Sequence, residues 1–333
     1  MATLGANVVS LLDIQKRLDK NDKIADIIEL LNQDNAMVQD MTWVEGDSAD
    51  GLTTSLRTGV PTPTWRRYNE GVQPTKSTVA TVKFTCATAV ARNEVDVDLA
   101  ERGGNASAFR LQEAAAAVEG MSEEVQRALI YDNETTTPGR VTGLAAYYNS
   151  KSAESGDNII DAGGTGSDNT SIYLVAWHPM GVTGIYPKGS KAGLVHEDHG
   201  KQLVSDATGA GAARYWAYMD EFKWTCGLAV RDWRQAVRIA NIDHSNLIAD
   251  SSAADLQAAL YKAYLKIKDP SKGRLGIYMR RDVLTKLGTQ AFGLAKTGGG
   301  ITLDTVEGKV YTKWMGIPIR FVDQLTNSEA RVT

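Results

Sequence analysis

The sequence is poor in cysteine. Its 333 residues include two, Cys86 and Cys226, and neither belongs to a C-x-x-C pair. That usage provides no zinc-finger or redox motif. We therefore expect two buried free thiols, kept reduced by the compartment in which the protein folds.

The sequence also lacks an excess of positive charge and long apolar runs. Lys and Arg number 36 against 40 Asp and Glu, a net charge of −4. This argues against a protein whose main role is to coat nucleic acid, although it allows one that stands near nucleic acid. No apolar run is long enough to span a bilayer, and no basic start precedes an apolar block, so we expect neither membrane insertion nor a secretion signal.

What is present is the composition of a soluble folded protein, with 43% apolar and 23% charged residues. The chain is long enough for a sizeable core or for two or more domains. Residues 7–33 show two short helical repeats of apolar residues, separated at Asn21-Asp22. This amphipathic pair is too small to fold alone and must bury its apolar stripe on another surface.

Residues 46–98 predict a long extended arm or β-hairpin. The first part is rich in Gly, Thr, Pro and Ser, and Pro61, Pro63 and Pro74 forbid a long helix. Further on, apolar residues such as Val82 and Phe84 alternate with polar ones as in a strand. A two-stranded arm is marginally stable by itself, so it needs a surface to lie on.

Residues 105–132 predict a long helix, with Asn105 or Ser107 as its cap and an end before Pro138-Gly139. Gly120 is a weak point within it. The apolar stripe recurs at spacings of three and four and comprises Leu111, Ala114, Val118, Met121, Val125 and Leu129.

The second half of the chain alternates strands with helices. Residues 150–171 are polar and glycine-rich, with little room for a core, and a buried strand follows at 171–179. A β-rich section covers about 214–242. A helix is predicted within 250–269, capped by Ser251 or Ser252. Its stripe comprises Leu256, Leu260, Ala263 and Ile267. A strand and a shorter helix follow at 273–288, and two strands joined at Met315-Gly316 close the chain.

The stretch from Trp177 to Lys201 resembles a phosphate-binding loop without being one. Gly184 and Gly189 have the required spacing, but Ser190 precedes Lys191 in the reverse of the required order. No helical stripe follows, and a helix N-terminus is what such a loop needs to face a phosphate. We therefore interpret these glycines as turn residues.

The same stretch holds three of the four histidines. His196 and His199 are three residues apart, which is not the i, i+4 pair of a zinc-protease helix. The simplest interpretation is that they are loop histidines, exposed or hydrogen-bonded. An alternative hypothesis is a metal- or phosphate-dependent hydrolase that uses His196, His199 and Lys191.

One short patch mixes aromatic and basic side chains: Trp65, Arg66, Arg67 and Tyr68. Nucleic-acid binders use such a mixture. In an acidic protein, an anchor in a protein–protein contact is the better interpretation, because Trp, Tyr and Arg dominate the energetics of such contacts.

Several stretches, in one order, resemble the major capsid proteins of tailed bacteriophages with the Hong Kong-97-type fold, in the branch found in short-tailed and related phages. They are RTGVPTPTWRRYNEGVQPTKS, NEVDVDLAERGGNASAFRLQEA, TGLAAYYN, TSIYLVAWHPMGVTGIYPKGSKAGL and VRDWRQAVRIANID. The likeness covers roughly residues 20–323, and its specificity comes from the order of the motifs.

The resemblance implies an α+β fold with these parts: an N-terminal arm at 1–45, an extended β-loop at 46–98, a peripheral domain with a spine helix at 99–149, an axial domain at 150–300, and closing strands of the peripheral domain at 301–333. It implies a shell subunit with no catalytic, cofactor or metal residues. Trp65, Arg66, Arg67 and Tyr68 are then expected at a subunit contact.

The implied function is self-assembly, in the host cytoplasm, into an icosahedral virion capsid that encloses double-stranded DNA. The implied partners are other copies in hexamers and pentamers, a separate scaffolding protein, a portal, a cement protein as an optional addition, and DNA touched non-specifically. The alternatives are the shell protein of a bacterial nanocompartment, which encloses an enzyme, and the hydrolase described above. The family hypothesis predicts that deleting about 60–85 leaves a folded core that forms no closed shell.

Overall fold

A computed structural model describes residues 36–102, 105–205, 214–251, 254–293, 301–306 and 309–333. The predicted helix pair at 7–33 lies outside these residues. The described part is an α+β fold, as predicted. None of its helices is long and apolar enough to cross a membrane.

The strands are listed in chain order: β1 Trp43–Glu45, β2 Gly51–Gly59, β3 Thr78–Thr85, β4 Ala87–Asp96, β5 Ile159–Asp161, β6 Asn169–Trp177, β7 Val182–Tyr186, β8 Leu194–Ser205, β9 Arg214–Val230, β10 Ala236–Asp243, β11 Arg274–Met279, β12 Ile301–Val306, β13 Lys309–Trp314 and β14 Ile317–Phe321. The α-helices are α1 Ala36–Asp40, α2 Val97–Arg102, α3 Ala106–Tyr131, α4 Leu144–Tyr147, α5 His244–Ala249, α6 Leu256–Lys266 and α7 Arg281–Gly293. Two short 3-10 turns lie at Glu154–Asn158 and Trp233–Gln235.

The described chain forms two compact units. The helical unit, as we call it, contains Thr88–Arg127 and Gly193–Thr225. The sheet unit contains Ala36–Ala87, Ala128–Ala192 and Cys226–Thr333.

In the sheet unit, β6 is buried along its whole length and pairs antiparallel with both β10 and β11. This confirms the strand predicted at 171–179, which begins two residues earlier, at Asn169. Strand β11 pairs parallel with β14, and β14 pairs antiparallel with β13. The turn between β13 and β14 falls at Met315 and Gly316, as predicted, with φ values of 47° and 85°.

The core of the sheet unit lies between this sheet and helices α6 and α7. Ile172, Ile239 and Ile277 from the strands pack with Leu260 of α6 and Leu287 of α7, and all are fully buried. The stripe predicted for α6 is buried throughout, since apolar residues at helical spacing share one face.

Three predictions for the sheet unit are wrong. The N-cap of α6 is Asp255, whose carboxylate accepts a hydrogen bond from the Ala258 N–H at 3.0 Å, and not Ser251 or Ser252. Residues 150–171 do contribute to the core, because β5 pairs with β10 and buries Ile159 and Ile160. Polar neighbours on both sides hide this short apolar segment in the sequence.

The third wrong prediction is that Gly184 is a turn residue. It lies inside β7, not in a turn, opposite Trp43 of β1 in a parallel pair. A Cβ on Gly184 would lie 2.5 Å from Met41 Sδ and 2.7 Å from Trp43 Cε3. Glycine is needed here because the segment before β1 packs directly on the backbone of β7.

Helix α3, Ala106–Tyr131, has nearly its predicted bounds. Asn105 caps it, as predicted, by accepting a hydrogen bond from the Ala108 N–H at 3.1 Å. The stripe is only half buried. Met121 is 5% exposed, whereas Leu111 is 72% and Val118 36% exposed. Helical spacing shows which face is apolar but not what covers it.

The helical unit also contains a long antiparallel hairpin of β8 with the first part of β9. The pairing runs from Leu194↔Trp224 to Ser205↔Arg214. Together with β10, this confirms the β-rich section predicted at about 214–242. A small apolar cluster in this unit comprises Val95, Ala100 and Phe109, with Tyr218 of β9 packed against it.

Candidate functional site

The extended loop formed by residues 51–85 is a β-hairpin whose base is anchored in the sheet unit. Strands β2 and β3 pair from Gly51↔Thr85 to Gly59↔Thr78. At the base, Leu52 and Phe84 are buried against Ile185 and Ala229. The hairpin predicted within 46–98 is therefore present at 51–85.

The anchor is also polar. The Thr53 N–H donates to Asp47 Oδ1 at 2.8 Å, and the Cys86 N–H donates to the Asp50 carbonyl at 2.8 Å. Lys83 Nζ lies 3.4 Å from Asp50 Oδ2. These bonds fix both ends of the loop, so the loop leaves the sheet unit in a defined position.

The tip of the extended loop, residues 60–77, has no regular structure and is exposed throughout. Trp65 is 100% and Tyr68 is 94% exposed. The Arg67 N–H donates to Glu70 Oε2 at 3.2 Å, and Asn69 adopts a left-handed φ of 66°, so the chain turns just after Tyr68. The structure thus presents Trp65, Arg66, Arg67 and Tyr68 as one short aromatic and basic patch in solvent.

The stretch from Trp177 to Lys201 forms a strand, a turn and the start of β8. Gly189 and Gly193 have φ values of 77° and 105°, which confirms them as turn residues. The histidines were predicted in a loop, and this is wrong for His196 and His199. Both lie on β8, because that strand begins at Leu194.

Each of these two histidines has its own carboxylate partner. His196 Nε2 lies 2.9 Å from Asp220 Oδ1, and its ring stacks on Phe222. His199 Nε2 lies 3.2 Å from Glu221 Oε2. Since the partners are neighbours on β9 and point to opposite faces, the two rings do not share one site. The hydrolase hypothesis, which needs His196 and His199 together, has no geometric support.

Ligand-type atoms of Glu197, His199 and Glu221 do lie within 4.8 Å of one another. They fit a metal ion poorly. Lys223 Nζ is 2.7 Å from Glu221 and 3.3 Å from Glu197, and Arg92 Nε is 2.8 Å from Glu221. Because cations already neutralise the carboxylates that would bind a metal, this group is best explained as an ion-pair network.

The two cysteine thiols are also unsuited to act as nucleophiles. Both cysteines are free, as predicted, and Cys226 is buried, but Cys86 is only half-buried. Burial raises the pKa of Cys86 to about 11 and that of Cys226 to about 12. Neither is a thiolate at neutral pH, so neither is an activated nucleophile.

The sequence and the structure were compared with those of known proteins. The sequence matches the family model described as Major capsid protein GP7 over residues 19–333. It is also similar to a chain in the cryo-EM structure of bacteriophage Epsilon15, with 34% identity, coverage of 100% of both chains and a TM-score of 0.81. The chain belongs to the major capsid protein GP7 family.

The structure also has weaker similarity to chains from other protein shells. A chain of the bacteriophage JBD30 capsid is 10% identical, with 89% of this chain and 93% of that chain covered and a TM-score of 0.46. A chain of the holo-SrpI encapsulin complex from Synechococcus elongatus PCC 7942 is 12% identical, with 70% and 96% covered and a TM-score of 0.43. These two likenesses are too weak to bear on function. Among curated proteins, none matches the sequence.

As a member of the GP7 family, the chain is a shell-forming phage capsid protein that assembles into multimeric shells and resides in the virion capsid. This confirms the predicted Hong Kong-97-type α+β fold and the predicted capsid function. The family is structural, which also confirms that the chain is not an enzyme.

Proposed function

We propose that this GP7 family member assembles, in the host cytoplasm, as hexamers and pentamers of an icosahedral shell around double-stranded DNA. The observation that carries the proposal is the extended loop, an element of more than thirty residues that buries little besides Leu52 and Phe84 at its base. An isolated hairpin of this kind is marginally stable, and a neighbouring subunit would supply the surface that it lacks.

We further propose that Trp65, Arg66, Arg67 and Tyr68 form a subunit contact. Large aromatic rings in solvent gain most from burial, and arginine with aromatics is the usual composition of energetically dominant contacts. The loop carries Arg57 and Lys76 as well as the two arginines of the patch, against the single acid Glu70 within 51–82. The partner surface is therefore expected to be acidic with an apolar pocket.

The other expected partners are a separate scaffolding protein, a portal and, as an optional addition, a cement protein. Packaged DNA would touch the inner wall non-specifically. The net charge of −4 supports weak contact with DNA, because a strongly basic wall would release many counterions and hold the genome tightly.

The proposed domain division keeps an N-terminal arm at 1–45, an extended β-loop at 46–98, a peripheral domain at 99–149 and 301–333, and an axial domain at 150–300. The hairpin of β8 and β9 packs against α3 in the helical unit. The division places this hairpin in the axial domain, apart from α3, so its assignment to the axial domain should be tested first. In a cryo-EM map of the shell, an axial assignment predicts the hairpin beside the capsomer axis.

The contact is tested by a double variant, Trp65→Ala with Tyr68→Ala. We expect it to fold with an unchanged melting temperature, since both rings are in solvent, but to yield open or incomplete shells in sedimentation and electron microscopy. The matched control, Trp65→Phe with Tyr68→Phe, retains two aromatic rings and should assemble. Closed shells from the alanine variant at the same yield as the unmodified chain would contradict the proposed contact.

A further inference from the structure

The hairpin of β8 and β9 places like charges directly opposite each other at two successive positions. Glu197 is the register partner of Glu221, and Asp198 is the register partner of Asp220. Opposed like charges weaken an antiparallel pair. We call these four residues the carboxylate ladder, and its presence requires nearby cations.

The aspartate pair is bridged by one side chain of helix α3. Arg110 Nη2 lies 2.8 Å from Asp198 Oδ1 and 2.8 Å from Asp220 Oδ1, and its Nε donates to Asp220 Oδ2 at 3.2 Å. His196 completes this side at 2.9 Å from Asp220. Asp220 is only 6% exposed, so water could not replace the hydrogen bonds and the positive charge that Arg110 supplies to it.

The glutamate pair is bridged in the same way on the other face of the hairpin. Lys223 Nζ lies 3.3 Å from Glu197 and 2.7 Å from Glu221. Arg92 of β4 reaches Glu221 at 2.8 Å, and His199 lies 3.2 Å from the same carboxylate. The ladder therefore connects the hairpin to α3 through charge alone, whereas β4 is also a hydrogen-bonded neighbour of β9 in the sheet.

Among the residues that the structure describes, apolar support at this junction is modest. Val95, Ala100 and Phe109 form the buried cluster against Tyr218, and Arg110 lies over the Tyr218 ring at 4.8 Å. A further ion pair, Lys201 with Glu101 of α2 at 3.1 Å, is exposed. By contrast, the sheet unit has an extensive aliphatic core between β6, α6 and α7. Loss of charge should therefore affect the helical unit first.

We propose that the carboxylate ladder is an acid-releasable joint, which holds the β8–β9 hairpin to helix α3 at neutral pH and frees it from that helix when the carboxylates are protonated. Four carboxylates face three permanent cations, Arg92, Arg110 and Lys223, with two histidines beside them. Protonation of the four acids turns a nearly neutral cluster into one of unpaired cations, which repel each other. The inference is independent of the subunit contact at Trp65.

The direction of the pH dependence follows from the acids. The pKa of Asp198 is lowered by the Gly200 N–H and by Arg110, and that of Glu221 is lowered to about 2 by Lys223, Arg92 and His199. An acid with a lowered pKa contributes stability above its unfolded value, roughly 4, and loses it as the pH falls through the folded value. Release is therefore expected between about pH 4 and pH 2.

Hydrogen exchange on the full chain, corrected for intrinsic rates, tests the joint. At pH 3, amides of β8 and of 214–224 should exchange at least about tenfold faster than at pH 7, while those of β6, β10 and β11 keep their protection. At pH 7, the variant Asp198→Asn with Asp220→Asn should show the same local loss, since it imitates the protonated pair. Light scattering in parallel reports the assembly state, so that dissociation of particles is not mistaken for opening.

The matched control is Asp250→Asn, which removes a single exposed ion pair with Lys286 in the sheet unit. It should leave exchange in the hairpin unchanged. Equal loss of protection in hairpin and sheet at pH 3, or full protection of the hairpin there, would overturn the proposal. Should the double variant also open the sheet unit, the proposal is tested by the single variant Asp198→Asn and by the exchange of the unmodified chain at pH 3 and pH 7.

Discussion

Gly184 and Gly120 show two opposite demands on glycine within one chain. At Gly184, a Cβ would overlap Met41 and Trp43, which pack on the backbone of β7. At Gly120, inside helix α3, a Cβ would meet nothing within 4 Å. The first glycine makes room for a neighbour, whereas the second only adds flexibility to a helix.

Alanine substitutions should therefore have opposite effects at the two positions. We expect Gly184→Ala to destabilise the chain by about 1–3 kcal/mol through overpacking, and Gly120→Ala to stabilise it by about 0.5–1 kcal/mol through helix propensity. Urea denaturation of the two variants measures both effects. A Gly184→Ala variant as stable as the unmodified chain would contradict the close packing at β7, and a destabilised Gly120→Ala variant would contradict the open space beside α3.

Other residue-scale features depend on contacts that no local pattern indicates. Arg238 and Glu329 form a buried pair at 2.8 Å, although they are 91 residues apart. The carboxylate ladder likewise depends on the register of β8 with β9. Sequence periodicity identified neither, because it reports which residues share a face and not which strand lies opposite.

At the scale of elements, local signals were sufficient where an element is specified by its own residues. The cap and bounds of α3, the stripe of α6 and the turn at Met315-Gly316 are all of this kind. The two failures have different causes. Polar neighbours hide the short strand β5, whereas α6 is preceded by several residues that can cap a helix, of which Asp255 does so. The exposed residues Leu111 and Val118 of α3 belong to a third class, since their cover was not predictable from helical spacing.

The extended loop allows a sharper deletion than the sequence alone suggested. Removal of 60–85 would take away Phe84, which is 4% exposed and anchors the base. Replacing only 61–76 by a short Gly-Ser linker keeps β2, β3 and that anchor. We expect a folded chain, with little change in melting temperature, that forms no closed shell.

The controls for this deletion are a scrambled 61–76 segment of the same length and the unmodified chain, all compared by electron microscopy. The scrambled loop should also fail, because the contact depends on the order of Trp65 and its neighbours. Closed shells from the linker variant would show that the loop tip is dispensable for assembly.

At the scale of the whole molecule, the chain has the features of a subunit that is completed by its neighbours. It belongs to a capsid family, it presents a basic and aromatic loop tip to solvent, and half of the apolar stripe on α3 is uncovered. Its net charge of −4 suits the weak contact with packaged DNA that we propose for the inner wall. The elements that look incomplete in one chain are those expected to be covered in the shell.

A cryo-EM map of particles assembled from the purified chain tests this account most directly. We predict closed shells in which Trp65, 100% exposed in the single chain, is buried against a neighbouring subunit beside acidic side chains. Closed shells with Trp65 still in solvent would contradict the proposed contact. A preparation that contains only monomers or small oligomers under all assembly conditions, including co-expression with the scaffolding protein, would contradict the account as a whole.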